Sequence, residues 1–215
     1  MALHRSYNVS NFSSVVVSGP IEAAVEIGQG CEVTADVNYK WLLNRLSVTA
    51  NGKTLHVKIE GGINLRSKAD MPRVKIVLEK LTGVEAASTA SVTVVGSVPK
   101  LTRFTAGSSG VSTLRLPSIE ADTIYLSAKD VSTLSVSGKA IKAMVDAHDM
   151  GTINGEELVC KTAYIGAEKM SNVRLTVSEF AAASAAEMSS INIIGPARVE
   201  KEADFMSSVS CEECD

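Results

Sequence analysis

Aromatic side chains are scarce in this 215-residue chain: four Phe, four Tyr and one Trp, 4% of the total. A core without large rings must be filled by many smaller side chains. The 25 Val and 26 Ser favour strands over helices for that purpose. Long hydrophobic runs are absent as well, and none approaches the ~20 apolar residues that a membrane-crossing helix needs. Charge of one sign is also lacking. Lys plus Arg number 21 against 24 Asp plus Glu, a net charge of −3, which provides no electrostatic attraction to nucleic acid or to an anionic membrane. With 45% hydrophobic and 21% charged residues, the composition excludes a disordered chain, and no heptad pattern points to a coiled coil. The start, Met1-Ala-Leu-His-Arg-Ser-Tyr7, has no apolar h-region and no cleavage pattern, so no signal peptide is read there.

Cysteines are few: Cys31, Cys160, Cys211 and Cys214. The Cys211-Glu-Glu-Cys214 spacing has the surroundings of neither a redox motif nor a zinc half-site. Glu212, Glu213 and Asp215 disfavour the thiolate that either chemistry requires, and no second pair exists to complete a zinc site. A structural terminal pair is expected, with no metal and no cofactor.

What the sequence does hold is a repeat. Six quartets follow one another: Val111-Ser-Thr-Leu114, Val131-Ser-Thr-Leu134, Met150-Gly-Thr-Ile153, Met170-Ser-Asn-Val173, Met188-Ser-Ser-Ile191 and Met206-Ser-Ser-Val209. A degenerate seventh is read at Val92-Thr-Val-Val95, which places the first residues 18 to 20 positions apart. Upstream of each quartet the chain alternates with period two. Phe104, Ile124, Ala143, Ala163, Ala181 and Val199 stand seven residues before; Ala106, Leu126, Val145, Ile165, Ala183 and Lys201 stand five before. Such alternation is the pattern of a strand with one buried face. The first and last residues of each quartet are three apart, so both are expected inside only if the chain bends between them. A unit of ~19 residues is too short for two strands and a crossover helix, but it suits one rung of a β-solenoid whose rungs rise ~4.8 Å each. The expected fold is therefore all-β, a right-handed parallel β-helix, its hand following the crossover preference of parallel strands.

Residues 85–215 make up the regular rungs and C-terminal cap in this reading, and residues 1–84 an irregular β cap continuous with them. In that cap, Leu46, Val48 and Ala50 precede Asn51-Gly52, and Leu55, Val57 and Ile59 follow, a hairpin signature. Trp41-Leu-Leu43 suggests a single helical turn.

Phe12-Ser-Ser-Val15, Val17-Ser-Gly-Pro-Ile21, Ala23-x-Val25, Trp41-Leu-Leu43 and Asn51-Gly-Lys-Thr-Leu55, followed by the β repeats, resemble the "putative auto-transporter adhesin, head GIN domain" family. The resemblance implies a right-handed parallel β-helix in bacterial envelope, cell-surface, periplasmic or secreted proteins, with adhesion as the family's name and no assigned chemistry. The family's Ser-Gly-x-Gly type of corner has a counterpart at Gly107-Ser-Ser-Gly110, whereas later corners carry charged pairs.

Those charged pairs are the first candidate site. Lys129, Asp130, His148, Asp149, Glu168, Lys169 and Glu187 should stack along one edge, and His148 and Asp149 beside Asp130 would form a weak cation site. The plainer reading is a solvated edge whose exposed ion pairs contribute only ~0–1 kcal/mol each. Thr113, Thr133, Thr152, Asn172, Ser190 and Ser208 make a second polar ladder, but one column at a bend is not the flat double array of an ice-binding face. Tyr125 and Tyr164 fall on the outward face of the strands, two rungs apart with Met144 between, where a sugar could stack. No phosphate loop, nucleophile elbow or HExxH motif is present. The repeats also carry no long insertion to wall a catalytic cleft.

The chain is thus expected to be a non-catalytic envelope or secreted protein with a scaffold, adhesion or glycan-contact role. A polysaccharide lyase or hydrolase using the corner ladder is the alternative. The expected partners are a surface glycan or an envelope protein. The charged last rung, with Lys201 between Glu200 and Glu202, predicts a monomer or small closed oligomer, because charge discourages end-to-end strand addition.

Overall fold

The computed structural model describes residues 3–59, 61, 65 and 67–213. Its strands are β1 (Leu3–Tyr7), β2 (Ser14–Ser18), β3 (Glu22–Ile27), β4 (Glu32–Val37), β5 (Leu46–Asn51), β6 (Thr54–Ile59), β7 (Arg73–Leu78), β8 (Gly83–Ala87), β9 (Ser91–Val95), β10 (Val98–Ser108), β11 (Thr113–Ala128), β12 (Thr133–Ala147), β13 (Thr152–Ala167), β14 (Asn172–Ala185), β15 (Ser190–Ile194), β16 (Arg198–Ala203) and β17 (Ser208–Glu212). One short helix, α1 (Lys40–Arg45), carries Leu42 and Leu43 into the core. Stacked parallel strands coil into a β-solenoid of about six turns.

From β10 onward every strand pairing is parallel, and the alternating columns stack in register. Phe104, Ile124, Ala143, Ala163, Ala181 and Val199 are successive partners, as are Ala106, Leu126, Val145, Ile165, Ala183 and Lys201. All but Val199 and Lys201 are buried. A slip of one residue would bring Thr, Lys, Tyr and Asp inside, so hydrophobic patterning opposes any shift of register. The long strands bend where their register shifts, between Leu116 and Ile119 and again between Ser135 and Gly138. Gly138 is required at that bend: its φ is +128°, and a Cβ there would overlap the carbonyl oxygen of Ile119.

The corners differ from expectation. The first residue of each quartet does not enter the core: Val111, Val131, Met150, Met170, Met188 and Met206 are 47–65% exposed. The small residue after it turns inward instead, and Ser112, Ser132, Ser171 and Ser189 are buried. Space and hydrogen bonding explain the exchange. The corner brings the backbones of adjacent turns together, leaving room only for a small side chain, and three of the buried hydroxyls donate to a carbonyl of an earlier turn, while that of Ser189 donates to Ala186 O of its own corner. Ser112 Oγ reaches Ala86 O at 2.9 Å, Ser132 Oγ reaches Ser108 O at 3.1 Å and Ser171 Oγ reaches Ala147 O at 2.9 Å. The quartet read at Val92 is also out of register by three. Ser91 pairs with Thr113 and Val92 with Leu114, so the repeat begins at Thr89 and Ala90 takes the small inward place.

In the first third of the chain, spatial order departs from chain order. β2 lies between β6 and β8, and β3 lies between β7 and β9, all in parallel. Residues 14–27 therefore form a turn inserted between two turns built from later sequence. β8 and β9 then hand the stack on to β10 and β11. Antiparallel pairing is confined to the outer margin, where β4 joins β7 to β1 and β5 folds back on β6 across Asn51 and Thr54.

Candidate functional site

At the charged corner, the turn is made by non-glycine residues with positive φ, including Asp130 (58°), Asp149 (53°), Lys169 (55°) and Glu187 (56°). This conformation throws their side chains outward. Lys129 and Glu187 are exposed, and Asp130 Oδ2 accepts the N–H of Gly110 at 3.0 Å. His148 does not turn to Asp149 and Asp130. Its Nε2 lies 2.9 Å from Asp146 Oδ1 and its Nδ1 lies 3.4 Å from Glu168 Oε2, while Asp149 Oδ1 takes Lys169 Nζ at 3.4 Å. Asp146 and Glu168 thus share His148, while Asp149 and Asp130 are engaged elsewhere. Among the described residues, no group of three His, Cys, Asp or Glu side chains is placed to hold a metal ion. The Thr113 to Ser208 ladder stacks in register as one column, with the Ser208 hydroxyl 3.2 Å from that of Ser190.

The aromatic face has more shape. Thr105, Tyr125, Met144, Tyr164, Ala182 and Glu200 are successive partners on the outward side of β10 to β16. They line an open groove of about 770 Å³, which ends at Glu200, Lys201 and Glu202. No long loop walls it. Relief comes from side-chain size alone, because Tyr125, Met144 and Tyr164 stand beside Gly166, Ala182 and Ser184.

Each tyrosine carries a cation. The Arg103 guanidinium lies 4.9 Å from the Tyr125 ring centroid, and its Nη2 donates to the Tyr125 hydroxyl at 3.2 Å. Lys142 Nζ lies 4.5 Å from the Tyr164 centroid, and Phe180 meets Tyr164 edge-on at 6.3 Å. Cation–π contacts of this kind hold the rings in place and leave N–H donors beside them. Sequence reasoning named the two rings but missed Arg103, Lys142 and Phe180. They occupy the position two residues before the tyrosine column (Phe180 pairs with Thr162, which pairs with Lys142), so the repeat alignment combined with period two could have found them. Asp146 also lines the groove, and through His148 it joins the groove to the corner ladder.

The cysteines take no part in either place. Cys160 is buried, and desolvation pushes its thiol up to about 12, which keeps it protonated and inert. Cys31 is free and exposed, and Cys211 is disulfide-bonded, whereas Cys214 lies outside the described residues. No helix among the described residues is long and apolar enough to cross a membrane.

The same coil occurs in solved structures. A "putative adhesin" from Bacteroides fragilis NCTC 9343 superposes with a TM-score of 0.86 at 14% identity, over 99% of this chain and 96% of that one. A second "putative adhesin", from Parabacteroides distasonis ATCC 8503, gives 0.74 at 14% identity over 99% and 96%. A "putative lipid binding protein" from the same organism gives 0.69 at 14% identity over 98% and 96%. At such identities the likeness is one of fold. No curated protein sequence matches the chain. A family model does: "Putative auto-transporter adhesin, head GIN domain" matches residues 11–197, the inserted turn and the regular stack alike, and the chain belongs to that family.

Proposed function

We propose that this protein is a non-catalytic adhesion protein of the bacterial envelope, cell surface or secreted fraction, and that its outer groove holds a glycan. The observation carrying this reading is the pair of tyrosines two turns apart, roughly 10 Å along the stack, with cations on their rings. A pyranose presents an apolar face to an aromatic ring and hydroxyls around its edge. Tyr164, 42% exposed, offers ring surface, and Lys142, Arg103 and Asp146 offer donors and an acceptor. Two such subsites in one groove fit an oligosaccharide lying along the solenoid axis. The family supports an envelope or surface setting. Asp149 and Asp130 are engaged apart from His148, whose ring lies instead between Asp146 and Glu168 on a surface that no long loop walls, and this favours the non-catalytic reading over the lyase or hydrolase alternative.

A second reading rests on the groove's apolar floor between Met144 and Ala182, which suits an acyl chain; one of the solved neighbours is described as lipid binding. A glycan array probed in parallel with displacement of a fluorescent fatty acid separates the two. Glycan binding without turnover, weakened about tenfold or more by Tyr164→Ala, is the expected result. Fatty-acid displacement without glycan binding would favour the second reading, and polysaccharide cleavage would overturn both.

A further inference from the structure

The outward quartet residues form a second feature, on the corner rather than the groove. Val131, Met150, Met170 and Met188 stack on successive turns, with Val111 before them and Met206 after, and each is about half exposed or more. A shallow hollow of about 270 Å³ runs between Met150, Met170 and Met188 and the charged residues that precede them. Six exposed apolar side chains in one column form a contiguous patch, and methionine adapts readily to a facing surface.

We propose that a second copy of this chain covers the column, packed antiparallel about a two-fold axis that lies in the interface across the column. The argument is self-complementarity. In that arrangement the order of turns reverses, and each residue meets the one at the same lateral position on the opposite turn. Met150 meets Met170 of the second copy, and Val131 meets Met188. In the neighbouring column, Asp149 and Lys169, already paired at 3.4 Å within one chain, face Lys169 and Asp149 of the second copy, so that four charges of alternating sign come together. At the ends, the fully exposed Phe205 comes over Gly110, which has no side chain to obstruct it. Asp130 then meets Glu187, with Lys129 next to the pair to offset their like charge. A parallel arrangement would instead set the charged column against the opposite flank and forfeit the Asp149–Lys169 match. A closed pair also agrees with the charged, exposed last turn, which disfavours open-ended growth.

The test is sedimentation of the intact chain over a concentration series, with cysteine cross-linking for orientation. The expected mass rises to that of two chains. Met150→Asn with Met170→Asn, which tolerate positive φ, should weaken association by roughly tenfold or more without changing the melting temperature of the chain diluted to the monomer. In a Cys31→Ser background, V131C and M188C chains should cross-link when mixed and neither by itself, because like positions stand three turns, roughly 14 Å, apart. A chain that stays monomeric up to its solubility limit would overturn the proposal. So would self-cross-linking of V131C, or flotation of the monomer with lipid vesicles through the same methionines.

Discussion

The corners that carry valine and those that carry methionine put an apolar side chain in the same place by different backbones. At Val111 and Val131 only the preceding residue is left-handed, Gly110 at 74° and Asp130 at 58°. At Met150, Met170 and Met188 the methionine is left-handed too, at 74°, 61° and 65°, after Asp149, Lys169 and Glu187. Branching at Cβ makes a left-handed valine a steric outlier, whereas unbranched methionine incurs only the ordinary L-residue penalty. The corner N–H also changes direction: that of Val111 donates to Ser88 O of the turn before, whereas those of Met150 and Met170 point to the turn after. Met150 N–H donates to Lys169 O and Met170 N–H to Glu187 O, both at 2.9 Å, linking corner to corner. From Val111 to Met188 the repeat therefore has two corner geometries, sorted by the side chain at the apex, whereas the last corner has neither Phe205 nor Met206 in the left-handed region.

The harshest challenge to that picture is inside the first methionine corner. Gly151 holds the inward place that serine holds elsewhere, and a Cβ would overlap the carbonyl oxygen of Ala128. Gly151→Ala should destabilise by about 3 kcal/mol through backbone displacement, whereas Ser132→Gly in the Val131 corner should lose only about 1 kcal/mol with its hydrogen bond to Ser108 O. Urea melts of the two variants would show the contrast, and equal losses would mean that the two corners are not distinct.

A smaller effect is expected at the apex itself. Met170→Val forces a β-branched residue into positive φ and should cost about 1–2 kcal/mol, while Met170→Gly should be neutral or mildly stabilising in dilute solution. The reverse change, Val131→Met, should be nearly silent, because nothing requires left-handed backbone there. Thermal melts of the three variants check the order.

The smallest effect concerns the last corner and acid. Asp204 is held below its usual carboxyl value of 3.8, first by the Ser207 side chain and then by the N–H of Glu187, which donates to its Oδ2 at 2.7 Å. A depressed carboxyl contributes stability that is complete above its unfolded value and lost as pH falls through the folded one. Hydrogen exchange at the Glu187 amide should accelerate below about pH 4 and be independent of pH over that range, exchange chemistry aside, in Asp204→Asn.

Wall and corner are not equally legible from residues alone. Along the wall, Ile124, Leu126, Ala143, Val145, Ala163 and Ile165 alternate with Tyr125, Met144 and Tyr164, and the inward set follows from period two. At the corner no period applies. The quartets mark apolar, small, polar and apolar positions, and burying both apolar residues is the natural expectation. The backbone dihedral settles the matter, turning Met150 out and Gly151 in. The groove is half legible: the tyrosines can be read from the repeat, but their relief against Ala182 and Gly166, and the cations lying on their rings, depend on how adjacent turns abut.

The sequence by itself determined a parallel coil of ~19-residue rungs, its inward wall residues and its charged last turn, because alternation and repeat spacing are local properties that survive any later packing. The tertiary structure alone decided that residues 14–27 slip between two turns formed from later sequence, and that β2 and β3 there pair in parallel with strands from both sides. It also decided which corner side chain faces water and which carboxylate His148 meets. The inserted turn depends on pairings between residues roughly 40 to 70 positions apart, and no local pattern encodes which of several equally apolar strands will be the neighbour.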